Sequence, residues 1–392
     1  MRKTTLSIAA LSAALLAMTA CSSSKSNDKN SSAPVGGGST PAPASTPAPA
    51  TSGTGGGAID GKGAKVGIIL PDTQSSARWA NADQPALEAQ CKADNLSCDI
   101  QNAQGDKVKM RTIAQSMENE GVKVLMIVNL DPASGATIEK EANSKGITTV
   151  DYDRLTPGGG AALYVSFDGV KVGEAQGNAL VNCPQVKGKS AVNYVDVNGS
   201  PTDNNAALFK QGYDSVLSKQ SGWKKLADQS VADWDNQKAG VIFGSMLNAH
   251  HDINAVMVAN DGMANSVIGA LQNQHLAGKV AVSGQDATAQ GLQHILKGDQ
   301  CFSVYKPSKL EAVPAVDAIA QIVTGSVPKT NATTKDPVTK KDVPSILATP
   351  IAIKITGANK LAGLKEKFWD FRPWSRVVPQ KRGYSLVRAY KA

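Results

Sequence analysis

Six polar clusters, each directly after an apolar run, hold the residues of this chain that could do chemistry. They are PDTQSSARW from Pro71, DYDRL from Asp151, NGSPTDNNA from Asn198, AND from Ala259, GQDA from Gly284 and YKP from Tyr305. Arg and Lys only donate hydrogen bonds, Asp accepts them, Asn does both, and Trp offers a flat apolar face. That combination suits reversible recognition of a small polar molecule. Catalysis is not expected, because G-x-S-x-G, H-E-x-x-H and G-x-x-x-x-G-K-[ST] are all absent. Gly61-Lys62-Gly63 precedes the first apolar run instead of following it, so it is no dinucleotide loop. Paired Asp residues can hydrolyse glycosides, but here they stand beside Arg and Lys as hydrogen-bond acceptors. His250 and His251 are neighbours that cannot face one ligand from a helix, and His275 and His294 stand alone. No metal site and no cofactor are expected.

The elements that must position these clusters follow a regular rhythm from Ala64 onward. KVGIIL, VKVLMIV, ITTVDYD, ALYVSF, SAVNYVDV, INAVMVA and KVAVSG read as buried parallel strands. Between them lie amphipathic stretches such as MRTIAQSMENEG, KVGEAQGNALVN and NAALFKQGYDSVLSKQ, which read as helices. Short apolar runs alternating with helices predict an α/β fold with parallel sheets. About ten such units exceed one modest doubly wound sheet, so two α/β lobes are expected. Ligands of such sheets bind outside the carboxyl ends of the strands, which is where the six clusters sit.

RW, YDRL, SFDGVKVGEAQG, GSPTDNNA, SGQDA and VYKP resemble, in order and spacing, the sugar-binding family of periplasmic binding proteins that feed ABC importers. The likeness extends over residues 64–355 and is nearest to the D-xylose-binding and multiple-sugar-binding members. It implies a type 1 fold in which two doubly wound parallel-sheet lobes, joined by a three-segment hinge, close around one monosaccharide. Residues 64–168 plus 306–328 would form the first lobe, and 169–305 plus 348–358 the second. The crossings would lie near Ser166–Asp168, Val304–Tyr305 and Thr349–Pro350. Carried over position by position, the ligand contacts would be Arg78, Trp79, Asp153, Arg154, Asp203, Asn205, Trp234, Asn260, Asp286 and Lys306.

These residue types fit a sugar on physical grounds too. A pyranose has an apolar C–H face, which Trp79 and Trp234 can cover at little entropic cost. Arg78 and Arg154 can each give two hydrogen bonds to neighbouring hydroxyls. Three acids (Asp153, Asp203, Asp286) balance three bases (Arg78, Arg154, Lys306), which suits a neutral ligand and not a phosphate. Each cluster also has a purely structural reading: Asp-Arg as a helix cap with an ion pair, GSPTDNN as a turn and N-cap, Trp234 as a cleft aromatic. The expected partners are a monosaccharide and an ABC permease, with the protein acting as a monomer. The alternative is a sugar-sensing ectodomain that presents bound sugar to a receptor. A sugar-responsive transcription regulator would share the core, but would begin with a helix-turn-helix.

The amino-terminal region carries an export signal. Arg2 and Lys3 precede an apolar run from Leu6 to Ala20, and Met18-Thr19-Ala20-Cys21 resembles a lipobox. Residues 1–20 are expected to be a lipoprotein signal peptide and Cys21 the lipidated residue; an ordinary signal peptide or membrane anchor is the alternative. Residues 21–63, rich in Ser, Pro and Gly, would then be a tether holding the protein on the outer face of the cell membrane. Four further cysteines, Cys91, Cys98, Cys183 and Cys301, allow three pairings in an exported protein. A local Cys91–Cys98 bridge would leave Cys183 with Cys301; the alternative is four buried thiols.

Residues 359–392 fit no part of this pattern. They hold nine Lys or Arg against two acids, and six of the chain's 18 aromatic residues. An aberrant or disordered basic extension is expected there, with a membrane-surface segment as the alternative. The net charge of +8 over 392 residues comes from this tail and the basic start, since the stretch between is slightly acidic. No nucleic-acid partner is expected.

Overall fold

Continuous apolar runs fold as strands covered on both faces, and the computed structural model shows two sets of them. It describes residues 59–356 and 360–362. The signal 1–20, Cys21, the tether up to residue 58 and the tail beyond 362 lie outside the described residues.

The first lobe begins with β1 (Lys65–Leu70), α1 (Gln84–Ala93), β2 (Ser97–Asn102), α2 (Lys107–Asn119), β3 (Val124–Ile127), α3 (Pro132–Ser144), β4 (Thr148–Tyr152) and β5 (Leu163–Phe167). The second lobe follows with α4 (Gly169–Val181), β6 (Val192–Asn198), α5 (Asn204–Leu217), β7 (Trp223–Ser230), α6 (Asn236–Ala249), β8 (Ala255–Val258), α7 (Asp261–Asn273), β9 (Ala281–Val282), α8 (Ala289–Lys297) and β10 (Phe302–Tyr305). The chain then returns to the first lobe as α9 (Lys309–Val323), β11 (Ala332–Lys335) and β12 (Asp342–Ala348). It ends its described part as β13 (Ile351–Thr356) and β14 (Lys360–Ala362).

The first sheet has the order β11-β12-β5-β4-β3-β1-β2, parallel except for the β11–β12 hairpin. The second lobe has a parallel sheet β7-β6-β8-β9 beside an antiparallel sheet β10-β13-β14. A parallel bridge from Gln285 to Val304 spans the gap between these two. The chain passes between lobes at Asp168, beyond Tyr305 and at Thr349–Pro350, and two of these crossings touch, since Asp168 N–H donates to Ala348 O at 2.9 Å.

Two parts of the outline differ from the sequence reading. The returning segment does not stop at 328, because β11 and β12 extend the first sheet and Ala348 itself pairs with Phe167. Pro344 hid that strand; it pairs with Thr333 of β11, one residue before the ladder to β5 begins at Ser345, where a missing N–H is tolerated. The start of the expected tail is also part of the fold, since Lys360–Ala362 pairs with β13.

Side-chain caps start every helix from α2 to α8. Asp106, Asp131, Asp168, Asp203, Asp235, Asn260 and Thr288 accept from first-turn N–H groups, as N-cap residues do. In the second lobe, α4 and α5 approach closely enough that glycine is required. A Cβ on Gly173 would lie 2.0 Å from Phe209 O, and one on Gly212 2.2 Å from Val170 O. This contact seats α5, which carries Asp203, Asn205 and Phe209 at its start.

Cys91 is bonded to Cys98 and Cys183 to Cys301, with sequence separations of 7 and 118. Loop-closure entropy assigns about 2 kcal/mol to the short loop and about 5 kcal/mol to the long one. Cys183→Ala with Cys301→Ala should therefore lower the melting temperature clearly more than Cys91→Ala with Cys98→Ala. Equal shifts in a thermal melt would contradict this.

Candidate functional site

The carboxyl ends of the strands and the amino ends of the helices meet in a cleft between the lobes. All ten residues expected there line it: Arg78, Trp79, Asp153, Arg154, Asp203, Asn205, Trp234, Asn260, Asp286 and Lys306. The cavity enclosed among them is only about 30 Å³. Small-molecule pockets run from about 300 to 1,000 Å³, so this cleft is closed down on its own side chains.

The loop after β1 supplies Arg78 and Trp79. The Arg78 guanidinium lies 4.6 Å from the Trp79 ring centroid, and that of Arg154 lies 5.7 Å away. Asp153 and Arg154 follow β4. Asp153 adopts φ +60°, a left-handed conformation uncommon for Asp, and three donors hold its carbonyl: Tyr164 Oη, Ser166 Oγ and Asn205 Nδ2. Its carboxylate takes Arg78 Nη1 at 2.7 Å and lies 3.5 Å from Lys306 Nζ. Burial pushes this carboxyl up, but Lys306, Arg78 and Arg154 together pull it well below the usual carboxylate range.

From the second lobe, Asp203 does double work. One carboxylate oxygen caps α5 at Asn205 N–H; the other receives Trp234 Nε1 and pairs with Arg154 Nε, both at 3.0 Å. Asn260 likewise caps α7 through Oδ1 while its Nδ2 donates to Ser75 O at 3.1 Å. The structural reading holds for both side chains, and the same side chains also face the cleft. Trp234 sits on the backbone of Gly199, where a Cβ would come 2.1 Å from the ring. Asp286, at φ +89°, accepts from Ser76 Oγ at 2.7 Å, and its Oδ1 lies 3.6 Å from Lys306 Nζ with no hydrogen-bond partner among the described residues.

Several hydrogen bonds and ion pairs among the described residues clasp the lobes together, Tyr164 Oη to Asn205 Oδ1 at 3.2 Å among them. Besides Ser76–Asp286, Asn260–Ser75 and Arg154–Asp203, these include Asn205 Nδ2 to Asp153 O at 2.8 Å and Asn236 Nδ2 to Gln74 O at 2.8 Å.

Sequence reasoning missed four lining residues, Ser75, Ser76, Phe209 and Gln285. Phe209 had a signal, since it follows Asn205 by four positions and so shares its helix face. It packs edge-on to Trp234 at 6.5 Å and lies under Lys306 at 5.4 Å. Two buried carboxyls behind the cleft, Asp83 and Glu311, were also missed, and both bond Arg78. The balance of three acids and three bases therefore needs correcting. Every cleft cation has at least one carboxylate partner, and acids outnumber bases. Such a site offers no spare positive charge to an anion. Its paired donors and acceptors suit an uncharged, hydroxyl-rich molecule, with Phe209 and Trp234 as apolar surface.

A folded-state carboxyl held below its unfolded value adds stability above about pH 4, lost as pH falls through the depressed value. Asp153→Asn should therefore lose several kcal/mol relative to the unsubstituted protein at pH 7, as when a buried pair loses one member. That difference should shrink only below about pH 4. Urea unfolding at several pH values would show a gap that already closes near pH 6 if this account is wrong.

A family model described as a periplasmic binding protein domain matches residues 66–326. The D-xylose-binding periplasmic protein of Escherichia coli (strain K12) is 36% identical over 301 residues, covering 76% of this chain and 88% of that protein. The multiple sugar-binding periplasmic receptor ChvE of Rhizobium radiobacter is 29% identical over 317 residues, covering 76% and 88%. Among solved structures, an ABC transporter solute binding protein from Clostridium phytofermentans with bound β-D-glucose matches with a TM-score of 0.66 at 26% identity. That match covers 74% of this chain and 94% of the other.

Proposed function

We propose, from the premise that the chain belongs to the periplasmic binding protein family, that it captures a neutral monosaccharide between two closing lobes of the type 1 fold and delivers it to an ABC importer. The observation that carries this reading is the convergence of polar and aromatic residues from both lobes on one cleft in which no cation lacks a carboxylate. A xylose-like pentose or a related hexose is the ligand class, supported by the relatives' names and by the small, charge-paired cleft. The protein acts as a binding protein, without catalysis or a cofactor.

Arg78, Trp79, Asp153 and Arg154 would hold the sugar from the first lobe, and Asp203, Asn205, Trp234, Asn260 and Asp286 from the second, with Lys306 at the crossing. A ligand touched by both lobes binds the closed form more tightly than the open one, and so shifts the population toward closure. The permease would read that closed shape. The lobes are divided as 64–168 with the returning segment from 306, and 169–305 with the strand after 348. The signal 1–20, lipidated Cys21 and the tether to residue 63 would keep the protein, as a monomer, on the outer face of the cell membrane.

Calorimetry with a panel of pentoses and hexoses should find at least one that binds. Asp286→Ala or Arg154→Ala should abolish that binding with the circular-dichroism spectrum unchanged; unchanged affinity would sink the site assignment. In cells, labelled palmitate should enter the intact protein and not a Cys21→Ala variant. Label in both would rule out Cys21 as the anchor.

A further inference from the structure

Arg78 has five N–H groups to give, and the protein consumes four of them. Nε and Nη2 reach the two oxygens of Asp83 at 2.7 and 2.6 Å. Nη2 also reaches Glu311 Oε2 at 2.7 Å, and Nη1 reaches Asp153 at 2.7 Å. One Nη1 N–H is left to serve the cleft. Asp83 and Glu311 are fully buried and lie behind the cleft, not on its lining. Tyr152 Oη donates to Asp83 at 2.7 Å and holds that carboxylate in turn. Glu311 stands in the first turn of α9, five residues beyond Lys306, so its bond joins the loop after β1 to the segment that has just crossed between lobes.

We infer that Glu311, acting with Asp83, is a positioning residue for ligand binding: it fixes the plane of the Arg78 guanidinium so that its remaining donor is presented to the cleft. This rests on the sugar-binding reading above. Asp83 alone grips one edge of the guanidinium. Without Glu311, one Nη2 donor is left buried and unpaired, and the guanidinium is held only by Asp83 and Asp153. Glu311 needs only to accept here. Burial and the neighbouring Asp153 and Asp83 favour its protonated form, while Arg78 and Lys306 oppose this. A neutral amide is therefore a close mimic of its role.

The experiment compares the full chain with Glu311→Ala, Glu311→Gln and Arg78→Lys, using calorimetry on the pentose and hexose panel with thermal melts alongside. Glu311→Ala should raise the Kd of the preferred sugar at least about tenfold, the scale of one lost charge-assisted hydrogen bond. It should also change the rank order of sugars in the direction that Arg78→Lys does. Glu311→Gln should stay within about threefold of the unsubstituted protein, since its amide oxygen still accepts from Nη2. If Glu311→Ala does not fold, Glu311→Met, which keeps the volume, takes its place. Unchanged affinity in the Ala or Met variant overturns the inference. So does a uniform loss across the panel with no change of order, or a Gln variant as weak as the Ala one. If the unsubstituted protein binds no member of the panel, the sugar reading fails and the inference falls with it.

Discussion

Burying Arg78, Arg154 and Lys306 in one cleft would cost several kcal/mol each unless every cation found a carboxylate out of water. The fold solves this by sharing. Asp153 serves Arg78 and lies near Lys306, Asp203 serves Arg154, Asp286 lies near Lys306, and Asp83 and Glu311 take the back of Arg78. Because the partners come from both lobes and from the crossing, charge pairing and lobe closure are one constraint. The same pairing supports the proposal of an uncharged ligand. An anion would need a cation that the carboxylates do not already hold.

The second organising fact is that the cleft is built from parts every α/β unit already has. A strand's carboxyl end must turn into a helix, and the helix needs an acceptor at its first turn. Asp203 and Asn260 meet that need with one oxygen and face the cleft with the rest of the side chain. The side chains proposed for recognition are thus ones that fold stability already required. Left-handed backbone at Asp153, Trp234 and Asp286 is the local strain this entails.

How much of this was legible follows from where the signals lie. The ten cleft residues came from the family resemblance, position by position, while apolar runs and their polar ends place the strands and the lobes, because strand-end chemistry is local in sequence. Asp83, only five residues from Arg78, shows no sign in the sequence of being buried, and Glu311 was not legible for the opposite reason. An acid in a helix whose partner lies 233 residues away looks like any solvated charge until the fold brings Arg78 beside it. Ser76 is a small hydroxyl in a loop, and only its reach across to Asp286 gives it meaning. The β11–β12 hairpin escaped because Pro344 and flanking charges break the alternation that marks a strand.

The Cys183–Cys301 bond closes a covalent ring around nearly all of the second lobe. It joins the end of α4, the first helix after one crossing, to the start of β10, the last strand before another. A protease that cuts any surface loop between these cysteines leaves two fragments still joined as one molecule. Both segments that carry motion to the first lobe remain attached to the same sulfur bridge. The lobe can therefore be nicked without being severed.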